Sequence, residues 1–491
     1  MPTIQLSAVA PGMTALEHEG TRILLIRDGD DVRAFEGACP HAKAPLDKGA
    51  LCEGRIICPW HMGAFDARTG ALLEPVAMRG LERYPVTVEG DTVQIGTTPE
   101  PAPKPPAAKD ARHFVLAGSG AASAMAACTL RAHGFTGRIT MLGPDPAEPL
   151  DRTQLSKMAL SAPDFDRATL PLLDPALPLD RVHAALTAID PASKAVTLST
   201  GAALTYDALL LATGAAPKPP HFPGPGASRI RTLRHLADVD TILAGAGFGT
   251  AAVVIGTSFI GMEAASALAD RGLNVTVIGR DALPFAPILG DRVGAALKGL
   301  HEGRGVQFRL AAEIERVEED AVLLTSGERL PAALVVAGMG VAPVTDYAAN
   351  LSRREDGSLA TDATLRVTDG IWAAGDLAST EGWPRVEHWR LAQQHGRVAA
   401  LDMLGQGVAY TGVPFFWSAQ AGKRLQMVGH ASNWDDIAFD GDVEAFDFIA
   451  WYLEAGVVRA ALIVGNDRAS AILSYAMHQD LNLEQARRRI A

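Results

Sequence analysis

The chain contains two copies of one pattern that few folds can satisfy: a short apolar strand, a glycine-rich turn and a small-residue helix. The first copy reads HFVLAGSGAASAMAACTLRAHG from His113, and the second reads AAVVIGTSFIGMEAASALADRG from Ala251. Gly118 and Gly256 open the two turns. A strand that feeds straight into a helix in this way builds a parallel sheet covered by helices on both faces. Where the turn is G-x-G-x-x-G, its backbone N–H groups and the helix N-terminus are poised for a pyrophosphate. In the first copy Gly118 and Gly120 supply the tight turn and the open approach. Ser123 replaces the third glycine, which serves close helix–strand packing. The second copy, Gly256-Thr257-Ser258-Phe259-Ile260-Gly261, keeps that glycine. Two dinucleotide-binding folds in one chain are therefore predicted.

They do not account for the whole length. At about 100–200 residues per domain, 491 residues predict three or four domains. Residues 1–96 carry short alternating runs (TRILLIR, RIICPW, YPVTVEG, TVQIG) between Gly and Asp turns and read as a small all-β domain. Residues 97–110 hold five prolines in fourteen residues and read as an extended interdomain linker. At about 3.1 Å per residue it would reach roughly 40 Å, enough for the first domain to dock and swing. Residues 111–228 with 354–411 are predicted to form the first dinucleotide fold, 229–353 the second, and 412–491 a C-terminal α+β domain. With 44 Lys and Arg against 56 Asp and Glu, the net charge of −12 speaks against a nucleic-acid grip. No apolar run reaches membrane-spanning length, and the N-terminus lacks the pattern of a secretory signal. A cytoplasmic protein, with no membrane partner and monomeric or homodimeric, is expected.

Four cysteines in so long a chain favour metal or redox use over a disulfide framework. Cys39-Pro40-His41 and Cys58-Pro59-Trp60-His61 form a C-x-H…C-x-x-H set. Two thiolates and two imidazoles suit the two irons of a [2Fe–2S] centre, the neutral ligands raising its potential. The same four groups could also hold a tetrahedral zinc. The surrounding loops, CPHAKAPLDKG and CPWHMGAFDARTG, resemble those of Rieske ferredoxins, which implies Cys39, His41, Cys58 and His61 as cluster ligands. Ala44 and Trp60 stand near the places where high-potential relatives have a further cysteine pair. That departure resembles the lower-potential ferredoxin and oxygenase type. Met62 replaces a customary glycine, which is expected to shift the second loop slightly.

Further motifs extend the resemblance over nearly the whole chain. LLLATGAAP (209–217) and IWAAGDLA (371–378) resemble the ATG and GD motifs of two-dinucleotide flavoproteins. PLDRTQLSK, VVIGTSFIGMEAA, VVAGMGVAPVT, VEHWRLAQQHGRVAA and VPFFWSAQ resemble apoptosis-inducing-factor-type reductases and the ferredoxin reductases of ring-hydroxylating dioxygenase systems. The resemblance implies FAD at Gly118, Gly120, Ser123, Thr213, Gly214, Gly375 and Asp376. Asp145, 25 residues beyond Gly120, either accepts from an adenosine ribose or serves only as a turn aspartate. Arg152 and Lys157 are implied to flank the flavin, with Lys157 paired to Glu263 as the catalytic pair, and His388 and Trp417 to lie near the ring system. NAD(P)H is implied at Gly256, Ser258, Phe259, Ile260, Gly261, Gly338 and Gly340. Leu150 stands where the family has Tyr. Gly279 occupies the strand end where an NAD site carries an acid, followed by Arg280. Either Arg280 binds a 2′-phosphate and NADPH is accepted, or Arg280 faces solvent and Asp281 takes the ribose of NADH.

Reaction type follows from what is absent. No two cysteines have the C-x-x-x-x-C spacing of a flavin-facing disulfide, which excludes dithiol chemistry. The expected electron order is NAD(P)H, FAD, Rieske cluster, then an external acceptor such as an oxygenase component. The alternative is a redox-responsive signalling protein of apoptosis-inducing-factor type with incidental turnover.

Overall fold

Alternation of apolar and polar residues in the first hundred positions produces three small antiparallel sheets. A computed structural model describes residues 2–101, 109–147 and 149–491. The middle of the proline-rich stretch, 102–108, therefore lies outside the described residues. One sheet orders the strands Gly12–His18, Thr21–Asp28, Asp31–Glu36 and Arg83–Tyr84. A second carries Ala50–Cys52, Arg55–Ile57, Ala64–Asp66 and Leu72–Glu74. Leu24, Phe35, Leu46, Ile56 and Phe65 fill the space between them together with Cys39 and Cys58.

The two glycine-turn units do build parallel sheets. In the first, His113–Ala117 lies centrally between Arg138–Leu142 and Ala208–Leu211, and Ile371–Ala373 continues the parallel order. That last strand arrives from far along the chain, so the sheet is discontinuous in sequence. The second sheet orders Ile230–Arg231, Leu334–Ala337, Ala251–Ile255, Asn274–Ile278 and Gln307–Arg309, all parallel. Helices α1 (Ala121–Ala132) and α2 (Phe259–Asp270) follow the two turns. The tail forms a five-stranded antiparallel sheet in the order Phe415–Gln420, Lys423–Gly429, Val457–Val464, Asp447–Glu454, Asp436–Asp442, with helices Asp467–Ala476 and Leu483–Ile490 after it.

A third helix, α3 (Trp389–Met403), joins the units. A Cβ added at its Gly396 would stand 2.1 Å from the Ala122 carbonyl oxygen, so glycine is what lets α3 cross the start of α1. A neighbouring stripe, Arg390, Gln393, Gln394 and Arg397 at i, i+3, i+4 and i+7, faces the N-terminal β-domain. These side chains donate to backbone carbonyls of that domain: Arg390 to Met62 and Pro75 (3.0 and 3.1 Å), Gln393 to Val76 (3.3 Å) and Arg397 to Leu73 (3.1 Å). Gln394 donates to the Glu74 carboxylate at 2.7 Å. Ala50, Ile57, Met62 and Ala64 share one apolar core with Phe415, Val428, Trp451 and Ile463 of the C-terminal sheet. The N-terminal domain is thus docked on the rest of the chain through both polar and apolar contacts.

Candidate active site

The Cys and His loops are close copies of one another. In each, the cysteine N–H donates to the carbonyl five residues on, Cys39 to Ala44 and Cys58 to Gly63, both at 2.8 Å. The residue before that carbonyl is left-handed in both, Lys43 at φ 59° and Met62 at φ 57°. Both thiols are buried and hydrogen-bonded to each other. That bond, and then burial, push the Cys39 thiol well above its ordinary range, while the same bond lowers that of Cys58. His41 and His61 face each other with their Nδ1 atoms 3.1 Å apart. Burial lowers the pKa of both, and for His61 the neighbouring His41 adds to the effect, so the rings are neutral electron-pair donors. The four groups stand as a sulfur pair and a nitrogen pair. Among the described residues no three His, Cys, Asp or Glu side chains converge on one point as a single-ion site requires. That donor set fits a two-iron cluster better than a lone zinc.

Both imidazoles reach the reductase part of the chain. The His41 Nε2 lies 4.0 Å from the Asp151 carboxylate, itself held by the Thr153 N–H and hydroxyl at 2.9 and 2.7 Å. The His61 ring packs on Trp417 with centroids 4.2 Å apart. Trp417 belongs to strand Phe415–Gln420, whose alternation sends Phe416 and Ser418 to the other face. There Phe416 stacks on His388 at 4.7 Å, and Ser418 donates to Glu263 at 2.6 Å.

Glu263 is 3% exposed on α2 and is the most fully partnered carboxylate of the site. Its second oxygen accepts from Lys157 Nζ at 3.0 Å and from the Ser156 hydroxyl at 2.5 Å. Its first oxygen accepts from Ser418 and from the Ala419 N–H at 3.2 Å. A buried charge is tolerable only with such partners. The ion pair therefore ties together the segment Leu155–Ala159, α2 and the C-terminal sheet. Lys157 and Glu263 come together as the resemblance implied. Ser156 and Ser418 were not singled out in the sequence, although each adjoins a residue that was.

The first glycine turn has the shape a dinucleotide needs. Gly118 is at φ 122°, and a Cβ there would lie 2.1 Å from the Ala212 carbonyl oxygen. At Gly120 an added Cβ would meet nothing within 4 Å, which leaves the mouth of α1 open. The Ser123 hydroxyl, in the first turn of α1, is fully buried and has no hydrogen-bond partner among the described residues. An orphaned donor beside a free helix N-terminus fits a pyrophosphate oxygen. Asp376 follows Gly375 and accepts from Arg234 Nη2 at 3.1 Å, while the buried Arg234 Nε has no partner among the described residues. Arg234 is a further residue that sequence reasoning missed. The Thr213 hydroxyl is engaged by the Val344 carbonyl and by Tyr347, both at 2.7 Å, so this turn offers backbone rather than a hydroxyl. Asp145 accepts from the Ala147 N–H at 2.9 Å and lies 3.3 Å from His235 Nδ1. Arg152 is half-buried. Burial pushes the pKa of His388, whose Nδ1 is orphaned among the described residues, down to about 3.

The second turn is packed tighter. A Cβ at Gly256 would stand 2.3 Å from the Gly338 carbonyl oxygen, one at Gly261 2.4 Å from that of Gly256, and one at Gly338 2.7 Å from Gly261. Gly340, at φ 85°, faces open space. Ser258 caps α2, Phe259 packs edge-on to Phe416 at 4.3 Å, and Ile260 is 44% exposed. At the neighbouring strand end, a Cβ on Gly279 would lie 2.4 Å from the Thr257 methyl. An acid cannot occupy that position without displacing Thr257. Arg280 and Asp281 beyond it are both exposed.

Comparison with known proteins agrees with this division. Residues 112–396 match the family model described as pyridine nucleotide-disulphide oxidoreductase, residues 1–85 the Rieske [2Fe-2S] domain, and residues 415–489 the reductase C-terminal domain. The chain is 31% identical to apoptosis-inducing factor 3 of Mus musculus over 91% of its own length and 78% of the relative's. It is 30% identical to the ferredoxin–NAD(+) reductase component of the biphenyl dioxygenase system of Paraburkholderia xenovorans, covering 73% and 91%. Among solved structures, the covalent putidaredoxin reductase–putidaredoxin complex superposes with a TM-score of 0.71 at 28% identity, covering 77% of this chain and 96% of that one.

Proposed function

Because the chain belongs to the pyridine nucleotide-disulphide oxidoreductase family, with a Rieske domain ahead of that fold, it is an FAD-dependent NAD(P)H oxidoreductase of ferredoxin-reductase type, and we propose that it delivers electrons to its own [2Fe–2S] cluster and thence to an external acceptor. A bound flavin takes a hydride as two electrons and gives them up singly, the conversion that a one-electron cluster requires. The chain's own residues supply position and charge. Lys157 is held in place by Glu263, and Glu263 in turn by Ser156, Ser418 and the Ala419 N–H. The open mouth at Gly120 and Ser123, with Asp376 across from it, would bind the FAD. Cys39, His41, Cys58 and His61 would hold the cluster.

One observation carries the reading. His61 packs on Trp417, and the next residue of that strand, Ser418, holds the Glu263–Lys157 pair. A cluster ligand and the reductase ion pair are thus two faces of a single strand. The biphenyl relative is the ferredoxin–NAD(+) reductase component of a dioxygenase system, and the superposed putidaredoxin reductase is joined to putidaredoxin in a covalent complex. Here the equivalent partner is supported as part of the same polypeptide, and an oxygenase component or other redox protein would be the acceptor beyond it. The His61→Ala variant tests this. It should still show NAD(P)H-dependent bleaching of the flavin but lose reduction of a one-electron acceptor protein. Undiminished acceptor reduction would mean that electrons leave from the flavin directly.

A further inference from the structure

Met62 sits beside a cluster-loop histidine in a backbone conformation that favours glycine. Its φ is 57°, where a Cβ is strained, yet its side chain is fully buried. It is buried outside its own domain's core, in the apolar cluster built mainly by the C-terminal sheet. Its carbonyl oxygen accepts from Arg390, which is 4% exposed and also donates to the carbonyls of Pro75 and Val413 at 3.1 and 3.2 Å. Glu74 lies 3.6 Å from the same guanidinium. On the other side of the loop, Gln426 donates to the carbonyls of Trp60 and Pro59 at 3.2 and 3.4 Å. Farther out, Arg468 donates to the Gly49 carbonyl at 3.0 Å.

A domain that undocks in each turnover must return such groups to water every time. Separation would expose Met62 and strip Arg390 of carbonyl partners in a site shaped for it. A reversible encounter surface is ordinarily more polar, whereas this one buries Met62 in an apolar core shared with the C-terminal sheet. The interface has instead the character of a permanent one.

We propose that Met62 and Arg390 are positioning residues that clamp the cluster domain against Trp417 throughout the catalytic cycle, so that electrons cross a fixed interface. This rests on the reading that the flavin feeds the cluster in the same chain. It replaces the swing expected from linker length alone. The external acceptor then meets the cluster domain on the face left free by docking.

The test uses the full holoprotein and follows cluster reduction after rapid mixing with NAD(P)H. A Gly-Ser insertion that doubles the proline-rich stretch should leave the unaltered chain's rate unchanged. In Met62→Gly, which relieves the backbone strain and removes the knob, the rate should fall by about one to two orders of magnitude, as loss of positioning brings. It should then also fall about threefold on insertion, as effective concentration dictates. Arg390→Met should behave in the same way, and Arg390→Lys should restore part of the rate. Visible spectra of both redox centres report whether each variant is folded and loaded. A rate that drops on insertion in the unaltered chain would overturn the clamp, as would Met62→Gly and Arg390→Met variants that keep the full rate. If NAD(P)H reduces the flavin of the unaltered chain but never its cluster, the underlying reading fails instead.

Discussion

Met62 shows how one residue trades local strain for contact. Holding a non-glycine side chain in the left-handed region costs about 1–3 kcal/mol, and full burial of a methionine contributes about 1.5–3 kcal/mol. The two nearly cancel in stability, so what the substitution for glycine adds is a fixed geometry. The departure is visible in the sequence, which by itself implies only a slight loop shift; the partner surface lies more than three hundred residues away along the chain. Gly279 is a second departure with a physical reason. The Thr257 methyl fills the space where a Cβ would begin, leaving no carboxylate to repel a 2′-phosphate, and Arg280 is the adjacent exposed cation. We predict that NADPH is accepted at least as well as NADH. A charged hydrogen bond is worth about 1.5–3 kcal/mol, so Arg280→Ala should lower kcat/KM for NADPH by roughly one to two orders of magnitude and spare NADH. Equal losses with both coenzymes would show that Arg280 does not read the phosphate.

At the scale of elements, the two glycines of the first turn serve different ends. Gly118 is required by its own backbone and by the Ala212 carbonyl, whereas Gly120 has ordinary backbone angles and open space before it. Gly120→Ala should therefore fold with the same thermal stability as the unaltered apoprotein, yet bind FAD more weakly, because its methyl would project into the mouth of α1. Flavin content after purification, set beside the Tm of the apoprotein, checks this; full occupancy would show that the mouth is not the pyrophosphate site. Strand, turn and helix were legible here because the chemistry is local: apolar runs, glycines and small helix residues follow one another within twenty-odd positions. The stripe Arg390, Gln393, Gln394 and Arg397 was not legible as an interface, since a polar stripe ordinarily faces water and only the docked domain buries Arg390, Gln393 and Gln394.

Across the whole molecule, the paired Cys and His loops were the plainest feature of the sequence and the interface between domains the least. Cys39, His41, Cys58 and His61 lie in two short loops whose internal bonds are made within five residues, so each loop's shape needs no distant information. The partners of Glu263 come from positions 156, 157, 418 and 419, and only the folded chain brings them to one carboxylate. Shared motifs implied the Lys157 pairing, but nothing in the sequence marks out Ser156 or Ser418. Docking through α3 and the C-terminal sheet then sets His61 on Trp417, a contact between units that the sequence presents as separate. The central claim is that NAD(P)H electrons reach the cluster within the same polypeptide. Its most direct test is anaerobic rapid mixing of the holoprotein with NAD(P)H, with cluster reduction followed over a wide range of protein concentration. The account predicts a first-order rate constant that does not change with concentration. A rate constant rising in proportion to concentration would show that electrons pass between molecules and would contradict it.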